Sequence, residues 1–296
     1  MNRLVLIGTD GSSRAADAIA LGGLLAPVLE AEPTLLHAHP YGELETLLSE
    51  GEYEQLAREV VENSARQAHS SFGGEQAPRF LLVAERSPAA ALHAAARERD
   101  VAAIIVGSSH RGPVGRVLPG GVAQRLLSGA PCPIVVAPAG FAARQPLGLG
   151  TIGAGFDGSS EASSALHTAA SLARTNHGPL AVIAVHQRIA FGHLPVAADR
   201  AFVSANQQLR SDLADRLNEA VTALDMGDQA TGSLLEGDPA TVLAEESDAL
   251  GLLVVGSRGY GPVGSVLLGS VASRLLGKSA CPVMVVPRCA DERSPD

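Results

Sequence analysis

The chain repeats itself, and this internal repeat constrains its fold more than any other feature. Residues 106–138 align without a gap on residues 255–287, an offset of 149, and 19 of the 33 positions are identical. A second block, Asp10–Ser13, returns as Asp157–Ser160 at an offset of 147. The repeat predicts two copies of one structural unit within the 296 residues. We place the first domain at residues 1–139 and the second at residues 150–289, with a linker over residues 139–149.

Each repeat alternates short apolar strands with helices, which predicts parallel βαβ units. In the first repeat the expected helices span residues 12–29, 43–69 and 88–100, the first of them opened by Ser12. The expected strands of that repeat are Leu4–Ile7, Thr34–Ala38, Phe80–Ala84, Ala102–Val106 and Ile134–Ala137. Those of the second repeat centre on Ile152, Val182, Leu234, Val254 and Val285. The predicted fold is therefore α/β, with two tandem doubly wound parallel five-stranded sheets.

The last strand of each repeat predicts how the two domains meet. Residues Ile134–Ala137 and Val283–Val286 are equivalent, short and entirely apolar. An unpaired apolar edge strand invites aggregation. We therefore expect the two edges to pair about an approximate twofold axis, so that the domains pack as a pseudo-dimer.

A glycine-rich loop in the second repeat has the form of a phosphate-binding site. Gly256, Gly259 and Gly269 are spaced Gly-x2-Gly-x9-Gly, Ser270 follows, and the loop lies between an apolar run and a helical run. Glycines permit positive φ and close approach of the backbone to a ligand. Main-chain N–H groups in such turns and at helix N-termini bind anions. The alternative is that the glycines only make a tight turn, but the complete spacing favours phosphate.

An aspartate ends the first strand of each repeat. Ligands of open parallel sheets bind beyond the carboxyl ends of the strands, where the strand order reverses. Asp10 and Asp157 are expected at that edge, beside the glycine-rich loop that follows the fourth strand. A carboxylate there suits a ribose hydroxyl or a metal ion. It could equally cap the following helix, and the two roles are compatible.

Three blocks in order, Asp157-Gly-Ser, the glycine motif from Gly256 to Ser270, and Ala280–Pro287, resemble the universal stress protein family. The likeness covers nearly the whole chain as two tandem domains, of the ATP-binding, adenine nucleotide alpha hydrolase-like type. It implies a nucleotide-linked regulator of stress responses that binds ATP, with Mg²⁺ as a companion ion. It also implies roles for individual residues: Asp157 for the ribose or Mg²⁺, the backbone of Val185 for adenine, and Gly256, Gly259, Gly269, Ser270 and Val271 for the phosphates.

The first repeat departs from this pattern. His110 stands where the family has the second glycine, and Gly121 stands where Ser270 stands in the second repeat. A hydroxyl bonded to a charged phosphate contributes about 1.5–3 kcal/mol, or roughly a 10- to 150-fold change in affinity. His110 and Arg111 could return some positive charge. We therefore predict a second, weaker site made of Asp10, Ala38, Gly107, His110, Gly120, Gly121 and Val122.

Composition narrows the class of protein. The formal charge is −9 without a basic stripe, which argues against nucleic acid as a partner. No apolar stretch is long enough to span a membrane, and the first apolar run is too short for a signal peptide, so a cytoplasmic protein is expected. Three cysteines do not build a disulfide framework. Cys132 and Cys281 are expected to be buried, and Cys289 to be free.

Other motifs are weaker. Gly153–Gly158 matches a dinucleotide-binding pattern but overlaps the strand that should precede it, and Gly277–Ser279 lacks the upstream glycine of a P-loop. His37 and His39 are interpreted as lying on opposite faces of a strand, exposed or capping, which disfavours a metal site.

No nucleophile is identified by sequence, so we expect binding without efficient catalysis. Two alternatives stay open: an ATP-consuming enzyme of the related adenylating or pyrophosphatase class, and an interaction module whose loops are only turns. The expected partners are an adenine nucleotide and an unidentified client protein, and homodimer formation is left open.

Overall fold

A computed structural model describes residues 3–11, 15–39, 55, 58–66, 68, 78–109, 115–129, 131–188, 196–257 and 269–287. The strands are β1 Leu4–Gly8, β2 Glu32–His39, β3 Arg79–Ala84, β4 Val101–Gly107, β5 Ile134–Ala137, β6 Ile152–Phe156, β7 Leu180–His186, β8 Ala230–Glu236, β9 Leu252–Gly256 and β10 Val283–Val286. The helices are α1 Ala16–Val28, α2 58–66, α3 Pro88–Glu98, α4 Gly121–Leu127, α5 Ser160–Thr175, α6 Val196–Ala223, α7 Pro239–Glu246 and α8 Ser270–Leu275.

These strands form one sheet in the order β3-β2-β1-β4-β5-β10-β9-β6-β7-β8. Within each repeat all pairings are parallel, and the order reverses at β1 in the first repeat and at β6 in the second. The predicted doubly wound α/β fold is confirmed. The two five-stranded sheets are continuous with each other, however, and make a single ten-stranded sheet.

The join between the repeats is the antiparallel pairing of β5 with β10. Val135 faces Met284, while Val136 faces Val283 and Ile134 faces Val285. Because Val135 and Met284 are equivalent at the offset of 149, the approximate twofold axis passes through this pair. Both side chains are fully buried. The predicted pairing of the two apolar edges is confirmed, and it removes both edges from solvent.

Helices cover both faces of the sheet and explain how a chain poor in aromatic residues builds a core. On α5 the buried residues Ala162, Ala165, Leu166, Ala169 and Ala173 recur at helical spacing and make one apolar stripe. This stripe joins residues of α1 and α6 in a cluster on one face of the sheet. Residues of α3, α4, α7 and α8 make a second cluster on the other face. Small alanine side chains let the helices lie close to the strands.

The linker between the repeats is anchored to the domains. The carboxylate of Asp17 in α1 accepts hydrogen bonds from the main-chain N–H groups of Gly140 and Ala142, each at 2.9 Å. Phe141 between them is buried. Arg144 donates to the carbonyl oxygens of Ala280 and Gly115, each at 3.2 Å. These contacts tie the linker to both repeats.

Two helix predictions are only partly tested. The first helix begins at Ala16 after Ala15, whose side chain makes no capping hydrogen bond, and Ser12 lies outside the described residues. The helix expected over residues 43–69 is described as helical at residues 55, 58–66 and 68. Within the part of the chain that the structure describes, every helix is too short or too polar to traverse a lipid bilayer.

Candidate functional site

The candidate site of the second repeat lies where β6 and β9 end side by side. These strands pair in parallel from Ile152 opposite Leu252 to Ala154 opposite Val254. Their carboxyl ends, Phe156 and Gly256, therefore meet at one edge of the sheet. With β7 on the far side of β6, this is the point at which the strand order reverses. The structure thus brings the Asp157 loop and the start of the glycine-rich loop together, at the position where ligands bind in such sheets.

Asp157 is exposed and organises the start of α5. Its Oδ1 accepts a hydrogen bond from the N–H of Ser159 at 3.0 Å and another from the Ser159 hydroxyl. The Ser159 hydroxyl in turn accepts from the N–H of Ala162 at 3.2 Å, so the helix cap is Ser159. Among the described residues no partner is found for Asp157 Oδ2. The capping role is therefore indirect, and one carboxylate oxygen is placed to meet a hydroxyl or a cation.

Gly256 permits a close contact between a strand and a helix. A Cβ at this position would lie 2.6 Å from the carbonyl oxygen of Glu161 in the first turn of α5. Any side chain would push α5 away from β9, so this glycine has a packing role beside the ligand role predicted for it. The next residue, Ser257, is buried, and its hydroxyl has no hydrogen-bond partner within the described residues.

The far end of the second loop leads into α8. Gly269 is the N-terminal cap residue of this helix, with φ −60° and ψ 151°, an extended conformation open to any residue. Ser270 is exposed at the first helical position, and Val271 packs partly against the core. Val185 is half-buried in β7 and pairs with Leu235. Gly259 lies outside the described residues, so its predicted role stays a prediction.

In the first repeat the two ends of the glycine-rich loop are drawn together. The hydroxyl of Ser108 donates to the carbonyl of Ala137 at 2.7 Å and accepts from the N–H of Leu118 at 3.0 Å. Ser108 and Pro119 form an isolated antiparallel bridge. As a result Gly107 at the end of β4 and Gly120, the cap residue of α4, approach each other.

The remaining candidate residues of the first repeat lie at the start of α4 and at the carboxyl ends of β1 and β2. Gly121 begins α4, and within the described part of the chain a Cβ there would meet no atom within 4 Å. Val122 and Ala38 pack partly against the core, and Asp10 is exposed after β1. His110 and Arg111 lie outside the described residues, so their predicted effects on the site are not addressed by the structure.

The interpretation of His37 and His39 is wrong. Side chains two residues apart on a strand share a face, and the two rings are stacked with centroids 6.5 Å apart. His37 Nδ1 is 3.0 Å from the carbonyl oxygen of Thr9, and His39 is buried. Burial, followed by the neighbouring charge of His37, lowers the pKa of His39. Among the described residues, no three His, Cys, Asp or Glu side chains converge as a metal site would require.

The two core cysteines are buried, as predicted. Burial raises the pKa of Cys132 and that of Cys281 to about 12 each, so both thiols stay protonated at neutral pH. A protonated thiol is a poor nucleophile. Cys289 lies outside the described residues.

Two features of the strand-end region escaped the sequence reasoning. His186 is buried at the end of β7 and corresponds to His39 at the offset of 147, a match that the repeat alignment could have revealed. Arg216 of α6 lies on the loop at Gly158: a Cβ there would be 3.1 Å from Arg216 Cδ. No sequence signal points to Arg216, because α6 does not align with the first repeat in an obvious way.

Comparison with known proteins agrees with this geometry. The model of the universal stress protein family matches residues 1–138 and 149–287. A universal stress protein of Mycobacterium tuberculosis is 28% identical over 298 residues, covering 95% of this chain and 96% of the relative. Among solved structures, a universal stress protein from Archaeoglobus fulgidus has a TM-score of 0.63 at 19% identity, covering 98% of this chain and 97% of that one.

A functionally unknown protein from Pseudomonas aeruginosa has a TM-score of 0.65 at 18% identity, covering 97% of this chain and 93% of that one. At these identities the two solved structures show a shared fold. The family model extends over both repeats and nearly the whole chain. The chain therefore belongs to the universal stress protein family and carries two tandem copies of its domain.

Proposed function

We propose that the second repeat binds ATP or a closely related adenine nucleotide, and that the protein acts as a nucleotide-linked stress regulator without efficient catalysis. One observation carries the proposal: the ends of β6 and β9 are adjacent at the reversal of strand order, and the chain has the complete Gly256 to Ser270 motif there. The Asp157 carboxylate stands at the same edge. This combination offers a phosphate loop and a ribose or metal ligand to one nucleotide.

Each part of the nucleotide has a proposed partner. The main-chain N–H groups near Gly269, Ser270 and Val271 bind the phosphates, and the exposed Ser270 hydroxyl adds a hydrogen bond of about 1.5–3 kcal/mol. Asp157 binds a ribose hydroxyl or a Mg²⁺ ion, since Mg²⁺ in proteins is held by one or two carboxylates together with substrate phosphates. Backbone groups at Val185, near the end of β7, contact the adenine.

The test is direct. The purified protein is heat-denatured and the supernatant analysed by mass spectrometry for retained adenine nucleotide, and nucleotide-free protein is titrated calorimetrically with ATP and Mg²⁺. We expect ATP to bind with a stoichiometry near one tight site per chain. If neither retained nor added adenine nucleotide binds, the proposal fails and a pure interaction module is favoured.

The ATP-consuming alternative predicts a product. Cys132 and Cys281 are ill suited as nucleophiles because burial holds their pKa values near 12. No other nucleophile is identified along the sequence, so we expect protein incubated with ATP and Mg²⁺ to form little ADP, AMP or pyrophosphate over hours. Turnover at ordinary enzymatic rates, about 1 s⁻¹ or more, would instead support the enzyme class.

A further inference from the structure

Arg216 lies against the loop that carries Asp157. Gly158 has φ +80°, and a Cβ built on it would be 3.1 Å from Arg216 Cδ and 3.3 Å from Arg216 Nη1. The side chain of this arginine therefore packs on the bare backbone of Gly158, the residue that follows Asp157. The absence of a side chain at Gly158 makes room for it. The guanidinium group stands at the edge of the sheet where the strand order reverses.

The guanidinium group of Arg216 has no hydrogen-bond or ion-pair partner within the described part of the protein. The other arginines of the second repeat whose side chains are described each have a partner: Arg174 with the Leu224 carbonyl, Arg188 and Arg210 with Glu236, and Arg274 with Asp238. Arg216 makes neither a hydrogen bond nor an ion pair with any described residue. Its side chain is exposed and able to donate to a ligand.

The charge next to Arg216 in the loop is acidic. Asp157 directly precedes Gly158, and its exposed carboxylate has one oxygen without a partner among the described residues. A carboxylate at this edge would repel the phosphates of a nucleotide bound there, because like charges repel. A guanidinium in the same region offsets this repulsion and offers paired donors that match phosphate oxygens.

The first repeat has a different residue in the same place. A Cβ on its equivalent glycine, Gly11, would lie 3.2 Å from Val60 Cγ1 of α2. Val60 thus occupies the place against the loop that Arg216 occupies in the second repeat. A valine is sufficient to pack against this loop, so packing alone does not explain why the second repeat has an arginine there.

We propose that Arg216 is a ligand-contacting residue of the second-repeat site, whose guanidinium donates to a phosphate oxygen of the bound nucleotide. The inference rests on the proposed function. It adds that this repeat selects nucleotides by their phosphate charge through a side chain outside the glycine motif. The first repeat lacks this contact because a valine stands in its place.

The test compares Arg216→Met and Arg216→Lys with the wild type by calorimetric titration of ATP, ADP, AMP and adenosine. Arg210→Met is the matched control, because it removes the same charge from the same helix but from a residue paired with Glu236. We expect Arg216→Met to weaken ATP binding about tenfold and adenosine binding less than twofold. Arg216→Lys should retain part of the ATP affinity, and Arg210→Met should change it less than twofold.

The outcomes separate this inference from the proposed function. Wild-type protein that binds no adenine nucleotide overturns both. ATP binding in the wild type that Arg216→Met leaves unchanged, or that Arg210→Met weakens equally, overturns the role of Arg216 alone. Equal losses for adenosine and ATP would mean that Arg216 contacts the base or ribose, which also contradicts a phosphate contact. Thermal melting of each variant confirms that the exposed substitution leaves the fold intact.

Discussion

The two repeats share a framework and differ at the edge where a ligand would bind. Strand order, parallel pairing and the buried β5–β10 join are equivalent in both halves. At the carboxyl ends of the strands the residues diverge, with Ser270 in place of Gly121 and Arg216 in place of Val60. Core positions are held by packing, whereas loop positions are free to change unless a ligand requires them. The difference teaches that one scaffold can present different residues at its two strand-end edges, so we expect the two repeats to differ in what they bind.

In the first repeat, hydrogen bonds of Thr9 connect the end of β1 to β2 and α2. The Thr9 hydroxyl lies 3.1 Å from the Ser64 hydroxyl, and the Thr9 carbonyl lies 3.0 Å from His37 Nδ1. At the offset of 147 the second repeat has Phe156 and Ala184 instead of Thr9 and His37, so it cannot form this network. The side chains of Thr9 and His37, which form hydrogen bonds in the first repeat, are therefore replaced by apolar side chains in the second.

The largest expected effect is a loss of folding stability, and it tests the β5–β10 join that the two repeats share. Val135→Asp and Met284→Asp each place a charge in the fully buried pair on the pseudo-twofold axis. An uncompensated buried charge costs at least about 3 kcal/mol, and the two variants should lose similar amounts. Urea unfolding followed by circular dichroism measures the loss, with Met284→Leu as a volume-conserving control. A large loss in one variant and a negligible loss in the other would contradict the symmetric join.

The second largest expected effect is a loss of ATP affinity, and it tests the difference between the glycine-rich loops of the two repeats. Gly269→Asp brings a negative charge to the proposed phosphate loop, and its extended backbone accepts any residue, so ATP binding should fall at least about 100-fold, or 2.7 kcal/mol. Gly120→Asp is the matched change in the first repeat, where a Cβ makes only ordinary contact at 3.7 Å with Ser109. Calorimetry should show the tight site lost in the first variant and kept in the second. Equal affinities in wild type and Gly269→Asp would refute the assignment.

A smaller gain is expected when the first loop is made like the second. The double change His110→Gly with Gly121→Ser restores the glycine spacing and the hydroxyl, and the serine fits because no atom of the described residues lies within 4 Å of a Cβ at position 121. First-site affinity for ATP should rise roughly 10-fold, the lower end of what one hydroxyl–phosphate hydrogen bond provides. Titration of stoichiometry measures it, with Gly148→Ser in the linker as control. Two equal sites in the wild type would show that the loop departures are harmless.

The smallest effect concerns an ion pair present in only one repeat. Asp238 caps α7 and binds Arg274 of α8 at 2.6 Å, whereas the cap residue of α3 in the first repeat is Ser87. The side-chain hydrogen bond from Arg274, followed by that from Thr241, lowers the pKa of Asp238 below its usual 3.8. Because the folded pKa lies below the unfolded one, the stabilisation is present above about pH 4 and disappears as the pH falls through the lowered value.

Asp238→Asn should therefore reduce Tm slightly at pH 7, and the difference from wild type should shrink below about pH 4. Scanning calorimetry from pH 7 to pH 3 measures this. Asp248→Asn, which removes another exposed ion pair, is the control. A Tm difference that does not change with pH would show that the loss comes from the cap geometry and not from the carboxylate charge.

Much of the fold followed from local pattern. Short apolar runs, helical spacing of alanines and the offset of 149 led to the strands, the two repeats and the pairing of β5 with β10. The rule that side chains alternate along a strand was misapplied to His37 and His39, which lie on one face. The environment of these histidines could not be inferred from the sequence, since it depends on tertiary contacts such as that between His37 and the carbonyl oxygen of Thr9.

The candidate site divides in the same way. The glycine spacing of Gly256, Gly259 and Gly269 and the carboxylate of Asp157 are visible along the chain, because loops that follow strands keep their residues together in sequence. Arg216 cannot be recognised as a site residue along the chain, because it lies 58 positions after Gly158 and reaches the loop only when α6 packs on the sheet. By itself the sequence determined the repeat and the fold class and located the glycine-rich loop, because these depend on local spacing and burial. The tertiary structure decided which distant side chains meet at the edge of the sheet, because helix packing sets that juxtaposition.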